Sequence, residues 1–446
     1  MNKYITLLKN TSIFAIGTFG AKVLTFLMMP FYTRVLTTED FGVVDLIVNT
    51  ANFIIPIVTI CIADAILRYG LDRAVNKKDV FSTGILVLIC GYLIFLLFIP
   101  IFLCIPIISN YTLLIYVFIL TSSLNSICSQ FVRARGFIKL YAISGILNTA
   151  LMIISNLILL LCFNLGINGY VLSIIIADFL TSMFLFWIAG LKKYLKFQRI
   201  SKSIAKAMVI FSLPLIPTTL FWWVTNLSDR YLVTYMIGAD ANGLYSAAYK
   251  IPTFITMLAG IVLQAWKISS VEEDNSADRA RFYTNVFESY QSVIYLAASF
   301  IIILIKPITS ILVSQDFYES WRFVPFLMMS VVFQCFASFL SNIYMVVKKN
   351  KMSMVTTLIS AVVNVVLNLI FIPLWGVNGA AFATFISCFV LFITRVFNTQ
   401  QFIRFNMKLG KVTINSILLL AQALIMIAEL PYWVIYEIVL CAVVTV

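Results

Sequence analysis

Charge is scarce in this chain, and the charges that fall inside apolar runs are the residues best placed to do chemistry. Of 446 residues, 31 are Lys or Arg, 18 are Asp or Glu, and 62% are hydrophobic. Lys22 lies near the middle of an apolar stretch around Thr11–Thr33, about 16 Å from either end at 1.5 Å per residue. Lys250 lies at comparable depth in a second run, and snorkelling does not carry an ammonium over such a distance. Basic groups at that depth cost about 2.5–3.5 kcal/mol each on insertion scales, so they need a wet or paired environment. Arg34 and Arg230 are further cations that can face the same cleft. Asp229 adjoins Arg230, and the two point about 100° apart on a helix, so each is expected to pair with another helix. That pairing is read either as a structural clamp or as a substrate contact. Asp64 and Arg68 are spaced i,i+4, where a local ion pair is the default and a gate is the alternative. Asp178 stands alone in mid-run, either as a neutral carboxyl or as a proton or sodium site.

Much other chemistry is excluded. Histidine is absent, which removes HExxH metal sites, Ser-His-Asp triads and histidine relays. The eight cysteines are scattered singly, with no zinc or disulfide spacing. No GxxxxGK[ST] motif is present, so ATP is not hydrolysed by this chain alone. The outer connections are too short for the site of a membrane-embedded glycosyltransferase or polymerase. No cofactor is expected, and a coupling ion, if used, is H⁺ or Na⁺. The net charge of +13 points to the positive-inside rule and not to nucleic acid.

The elements that must position these charges are membrane helices. A soluble domain averages about 45–50% apolar and 25% charged residues, far from the 11% charged and mean hydropathy of +1.03 found here. Continuous runs long enough to span a bilayer recur along the whole chain, which predicts an all-α polytopic membrane protein with about fourteen transmembrane helices. The first run is expected to be an uncleaved span, not a signal peptide. Twenty-five of the 31 basic residues fall in alternate connections, which places both termini in the cytoplasm.

Two halves resemble each other. Thr37–Val44 corresponds to Gly238–Tyr245, and Leu165–Gly169 to Trp375–Gly379, with an Asn-Leu-Ile upstream at Asn156 and at Asn368. The separations of 201 and 210 residues imply a parallel repeat of two six-helix lobes. The expected organisation is an N-lobe over 1–190, a basic cytoplasmic linker over 191–206, a C-lobe over 207–397 and a C-terminal helix pair over 398–446. Asn148, Ser155, Asn156, Asn364 and Asn368 are expected to bond across helices, with a sugar contact as the alternative. Pro214 and Pro217 are expected to break or bend the seventh span.

The sequence resembles the Wzx-type polysaccharide and oligosaccharide flippases of the multidrug/oligosaccharidyl-lipid/polysaccharide (MOP) exporter superfamily. The resemblance rests on Pro30–Gly42 after a basic N-terminus, on Asn226–Leu232, on Gly243–Ile251, and on the Asn-Gly-Ala-Ala run Asn378–Ala381. It implies alternating access that moves an undecaprenyl-diphosphate-linked oligosaccharide, such as an O-antigen or capsule repeat unit, to the outer leaflet of the bacterial cytoplasmic membrane. It implies no enzymatic activity, and it brings a polysaccharide polymerase and a chain-length regulator as partners. Lys22 looks like the counterpart of one cavity arginine of the related lipid II flippases, whereas the next such position falls near Met28 and carries no charge. An ion-coupled multidrug exporter of the same superfamily is the alternative. It calls for an acid-lined cleft, whereas Lys22 and Lys250 are cations.

Overall fold

The computed structural model describes residue 24 and residues 26–72, 74–196, 200–272, 279–347, 349–429 and 431–444. Among them the chain is helix joined by turns, with no strand, as the hydropathy predicts. Bilayer hydrocarbon offers the backbone no hydrogen-bond partners, so each span satisfies its N–H and C=O groups internally. Eleven of the described helices are long and apolar enough to cross a membrane. Most of the expected first span, Lys22 included, lies outside the described residues.

The chain divides into two compact units, residues 1–223 and 224–446. In the first unit α1 (Met29–Val35) leads to α2 (Thr38–Val58), whose start is fixed by a capping box. Thr37 Oγ1 accepts from Asp40 N–H at 3.1 Å, and Asp40 Oδ2 accepts from Thr37 N–H at 3.3 Å. The apolar run that α2 begins is interrupted. Ile60 and Cys61 take left-handed φ values of 52° and 51°, and the helix restarts as α3 (Ile62–Leu71). Then follow α4 (Lys77–Leu96), two short turns, α5 (Thr112–Ala134), α6 (Ile138–Leu157) extended by a wider π-type turn, α7 (Gly166–Ile188) and α8 (Lys202–Ser212). Ile66, Phe81, Ile127, Phe131, Leu185 and Met208 form the core that α3, α4, α5, α7 and α8 share.

Helix α8 packs with the first unit, although the repeat assigned residues beyond 206 to the second lobe. Tyr69 OH donates to the Ala207 carbonyl (3.3 Å), and Ser212 Oγ donates to the Cys61 carbonyl (3.4 Å). Pro214 interrupts the seventh span as expected, and α9 (Leu215–Met236) carries the chain into the second unit.

There α10 (Ala239–Glu272), α11 (Arg279–Ile303), α12 (Ile305–Leu312) and a 3₁₀ segment (Gln315–Phe323) precede α13 (Val324–Val346). After α13 come α14 (Asn350–Trp375), α15 (Val377–Thr399), α16 (Leu409–Ala428) and the short α17 (Trp433–Val444). Helix α13 is central: Phe333, Phe336 and Phe339 interlock with Phe287, Tyr290, Trp266 and Phe392. Beyond the apolar runs, Lys306 pairs with Glu429 and lies over the rings of Trp321 and Trp433, tying α12 to the ends of α16 and α17.

Candidate functional site

The first polar node lies in unit 1. Asp178 is near the middle of α7, about 15–18 Å from either end, and is almost fully buried. Helix α5 brings Ser122 and Asn125 to one face at i,i+3, and α6 brings Asn148. Asn125 and Asn148 each donate from Nδ2 to Asp178 Oδ1 at 2.8 Å, and Ser122 Oγ donates to Oδ2. Three neutral side chains thus surround the carboxyl, and no described cation lies within ion-pair distance of it. Such a nest of oxygens and amides can hold a small cation or a proton. The sequence reading expected cross-helix bonding from Asn148 but missed Ser122 and Asn125. The legible signal was a polar pair at i,i+3 within an apolar helix.

The second node lies in unit 2. Asp229 of α9 is fully buried. Its carboxylate accepts from Tyr245 OH, from Thr384 Oγ1 at 3.1 Å and from the Arg230 backbone N–H at 3.0 Å. The Arg230 guanidinium turns elsewhere: Nη1 donates to Ser246 Oγ at 3.1 Å, and the group lies 5.2 Å from the centre of the Tyr249 ring. The adjacent charges thus engage a neighbouring helix, as their 100° separation predicts. Lys250, half-buried, is one turn beyond Ser246 on α10, which places it near Arg230 in the same unit. Asn364 joins this region to α14 and α15. Its Oδ1 accepts from Ser228 Oγ (2.7 Å) and Asn368 Nδ2 (3.0 Å), and its Nδ2 donates to Thr384 and Ser387 hydroxyls.

A third place is an open cavity of about 450 Å³ in unit 1, lined by Asp64, Leu67, Arg68, Leu71, Phe211 and Thr219 among others. Asp64 and Arg68 are exposed to it and form no ion pair with each other. The default i,i+4 bridge is therefore not made. An exposed pair of that kind is worth only about 0.3–0.5 kcal/mol, too little to hold two solvated side chains together. The break at Ile60–Cys61 aims this segment, and Cys61 Sγ lies 4.0 Å from Thr219 Oγ1. Arg34, exposed on the last turn of α1, is the remaining described cation of the expected set.

Residues 7–266, more than half of the chain, match the family of polysaccharide biosynthesis proteins. The chain belongs to that family. The matched segment contains Lys22, Arg34, Arg230 and Lys250, together with all three places described above except their α14 and α15 members. No curated protein sequence matches this polysaccharide biosynthesis protein significantly. Among solved structures it is similar to the lipid II flippase MurJ in an inward closed conformation. The identity there is 16% over 97% of this chain and 96% of that one, with a TM-score of 0.73. It is also similar to an inward-facing multidrug resistance MATE family transporter of the MOP superfamily, at 14% identity, 85% and 95% coverage and a TM-score of 0.66. A mutant of the Vibrio cholerae MATE transporter VcmN gives 14%, 89% and 96%, and 0.62. At such identities the likeness is one of fold. It agrees with the MOP superfamily resemblance carried by the sequence motifs.

Proposed function

We propose that this protein is a flippase that moves an undecaprenyl-diphosphate-linked oligosaccharide from the cytoplasmic to the outer leaflet of the bacterial cytoplasmic membrane. Its two repeat-derived lobes alternate access, the C-terminal helix pair stands outside the repeat, and both termini are cytoplasmic. The observation that carries the reading is the family match over residues 7–266, in a chain built of membrane-crossing helices. The lipid II flippase named among the structural relatives supports a lipid-linked cargo.

The physics fits this cargo. A diphosphate carries about two negative charges, and taking it through hydrocarbon unaided costs tens of kcal/mol. Arg230 and Lys250 in unit 2 supply charge-assisted contacts to the phosphates while the prenyl tail stays in lipid, and Lys22 and Arg34 supply them in unit 1. Asp178 holds the coupling H⁺ or Na⁺, and Asp64 with Arg68 gates the cavity they line. Asp229 positions Tyr245 and Thr384 around Arg230. The protein catalyses no covalent step and works beside a polymerase and a chain-length regulator.

Polymer export in a strain lacking its own flippase tests the reading, with membrane levels of each variant matched. Lys22→Ala, Lys250→Ala and Arg230→Ala should each weaken cargo binding by about 1.5–3 kcal/mol, and Lys250→Arg should retain much of the activity. Normal export by both Lys22→Ala and Lys250→Ala would sink the cationic-cleft mechanism. Drug efflux without polymer export would favour the ion-coupled multidrug exporter instead, a reading that the lone acid Asp178 also fits.

A further inference from the structure

One buried acid has no part in the transport reading. Glu437 lies on α17, in the helix pair outside the two repeats, and none of its surface is exposed. The helix presents two different faces. Val434, Ile435, Ile438 and Val439 are exposed on one, as lipid-facing residues are, while Trp433, Glu437, Leu440 and Val444 turn inward at i, i+4, i+7 and i+11. Glu437 therefore occupies the centre of the buried stripe, where packing alone would call for leucine.

Its surroundings are polar on one side only. Gln422 of α16, itself fully buried, donates from Nε2 to Glu437 Oε2 at 2.9 Å. The other end of that amide is held, because Gln422 Oε1 accepts from Ser299 Oγ of α11 at 2.8 Å. The amide is thus oriented, with its N–H₂ aimed at the acid. Glu437 Oε1 has no hydrogen-bond partner among the described residues. Nor does any described Lys or Arg pair with this carboxyl.

The acid ends a polar seam through an apolar interior. Gln291, Tyr295 and Ser299 follow each other at i, i+4 and i+8 on α11. Tyr295 OH shares a hydrogen bond with Ser416 Oγ at 2.6 Å and donates to the Val412 carbonyl at 3.1 Å. Both polar ends of Gln291 and the Nδ2 of Asn415 are buried with unused hydrogen-bonding capacity. The charged and titratable groups on the packed elements are few. Helix α11 carries Arg279, Arg281 and Tyr283, bonded to the Ser270 carbonyl, in its first turns, then Glu288, which pairs with Lys411 of α16 at 3.7 Å, Tyr290, bonded to the Cys335 carbonyl, and Tyr295. Helix α17 offers only Tyr436 and Cys441 besides Glu437, and Lys306 above Trp433 is already paired with Glu429.

We propose that Glu437 is a proton-binding site, loaded and unloaded along the seam that α11, α16 and α17 enclose. A carboxylate sealed in an apolar interior needs a neutralising partner, and the open Oε1, with no described cation beside it, is where a proton binds. In loading, hydronium gives its proton to Oε1 and leaves as water, while Gln422 keeps Oε2. Unloading reverses the step. Proton binding in the helix pair is thus separate from the ion site at Asp178, and it does not depend on which cargo the lobes carry.

Infrared difference spectroscopy on the full-length protein in lipid vesicles tests this, with the bulk pH stepped from acid to alkaline. Glu437→Gln keeps the shape and a neutral group, so subtracting its spectra from wild type isolates the acid. The expected result is a protonated-carboxyl C=O band in that difference, present at low pH, lost at high pH, and retained when Asp178→Asn is the background. Glu437→Asp should keep a titrating band at a displaced position, which guards against misfolding of the glutamine variant. Absence of the band at every pH, or a band that never titrates, would overturn the proposal, since the acid would then be permanently charged or a fixed structural hydrogen-bond donor.

Discussion

Asp178 and Glu437 are both acids within apolar helices, and they differ in what surrounds each oxygen. Asp178 is met by three donors, from Ser122, Asn125 and Asn148, so its charge is solvated by protein dipoles. Glu437 has one donor and one open oxygen. Replacing Asp178 with asparagine preserves the shape and removes only the charge. Asp178→Asn should therefore reach the membrane at normal abundance while export loses its response to an imposed proton or sodium gradient in vesicles. An unchanged response would make Asp178 a structural hydrogen-bond acceptor. Asp178 itself stood out in the sequence as a lone charge in an apolar run. Its three partners did not, because Ser and Asn are common in membrane helices, and only helix rotation decides which of them point at the acid.

The elements show how closely the backbone packs where the repeat predicted short turns. Helices α14 and α15 meet at Gly376, whose φ of 59° suits glycine, and Gly379 one turn later lies against the preceding helix. A Cβ at Gly379 would fall 2.0 Å from the Phe371 carbonyl oxygen, which is backbone and cannot swing aside. The counterpart Gly169 is also tight, with Leu159 O at 3.3 Å. Gly379→Ala should cost about 1–3 kcal/mol through overpacking. Gly260→Ala, with nothing within 4 Å of its Cβ inside α10, should gain about 0.5–1 kcal/mol from helix propensity. Thermal unfolding in detergent should move the two variants in opposite directions, and a shift of the same sign would refute the close-approach argument. The break in the second span was less legible. Left-handed backbone costs an L-residue such as Ile60 about 1–2 kcal/mol, which no local pattern announces. It persists because tertiary contacts hold it: Ser212 binds the Cys61 carbonyl, and Gly91 admits the Val58 carbonyl where any Cβ would clash at 1.9 Å.

For the whole molecule, the charge asymmetry makes a prediction about sidedness. Cysteines introduced at Asn110 and Asp316 should react with impermeant thiol reagents applied to intact cells, and one at Lys196 should not. Labelling at Lys196 would overturn the arrangement with both termini inside. Membrane-spanning character and helical class could be read from the chain because a bilayer makes each span answer for itself. Its length, its apolarity and its backbone hydrogen bonding are all internal to one segment. The Asn-Leu-Ile and Asn-Gly signatures stood out in each half of the sequence. What those places do was decided by packing. Asn156 donates to Tyr32 OH in one unit, whereas Asn368 donates to Asn364 in the other. The first unit buries Asp178 on α7, while the second unit buries Asp229 on α9 and Glu437 on α17. Helix α8 joined the first unit because Met208 and Ser212 face its core, though the repeat had assigned them to the second. Glu437 escaped notice altogether, since a single acid in a short terminal run gains meaning only once α11 and α16 close around it. Hydropathy is a property of each segment alone, but the direction in which a polar side chain points depends on the rotation of its helix against neighbours distant in sequence. Only the tertiary structure supplies that rotation.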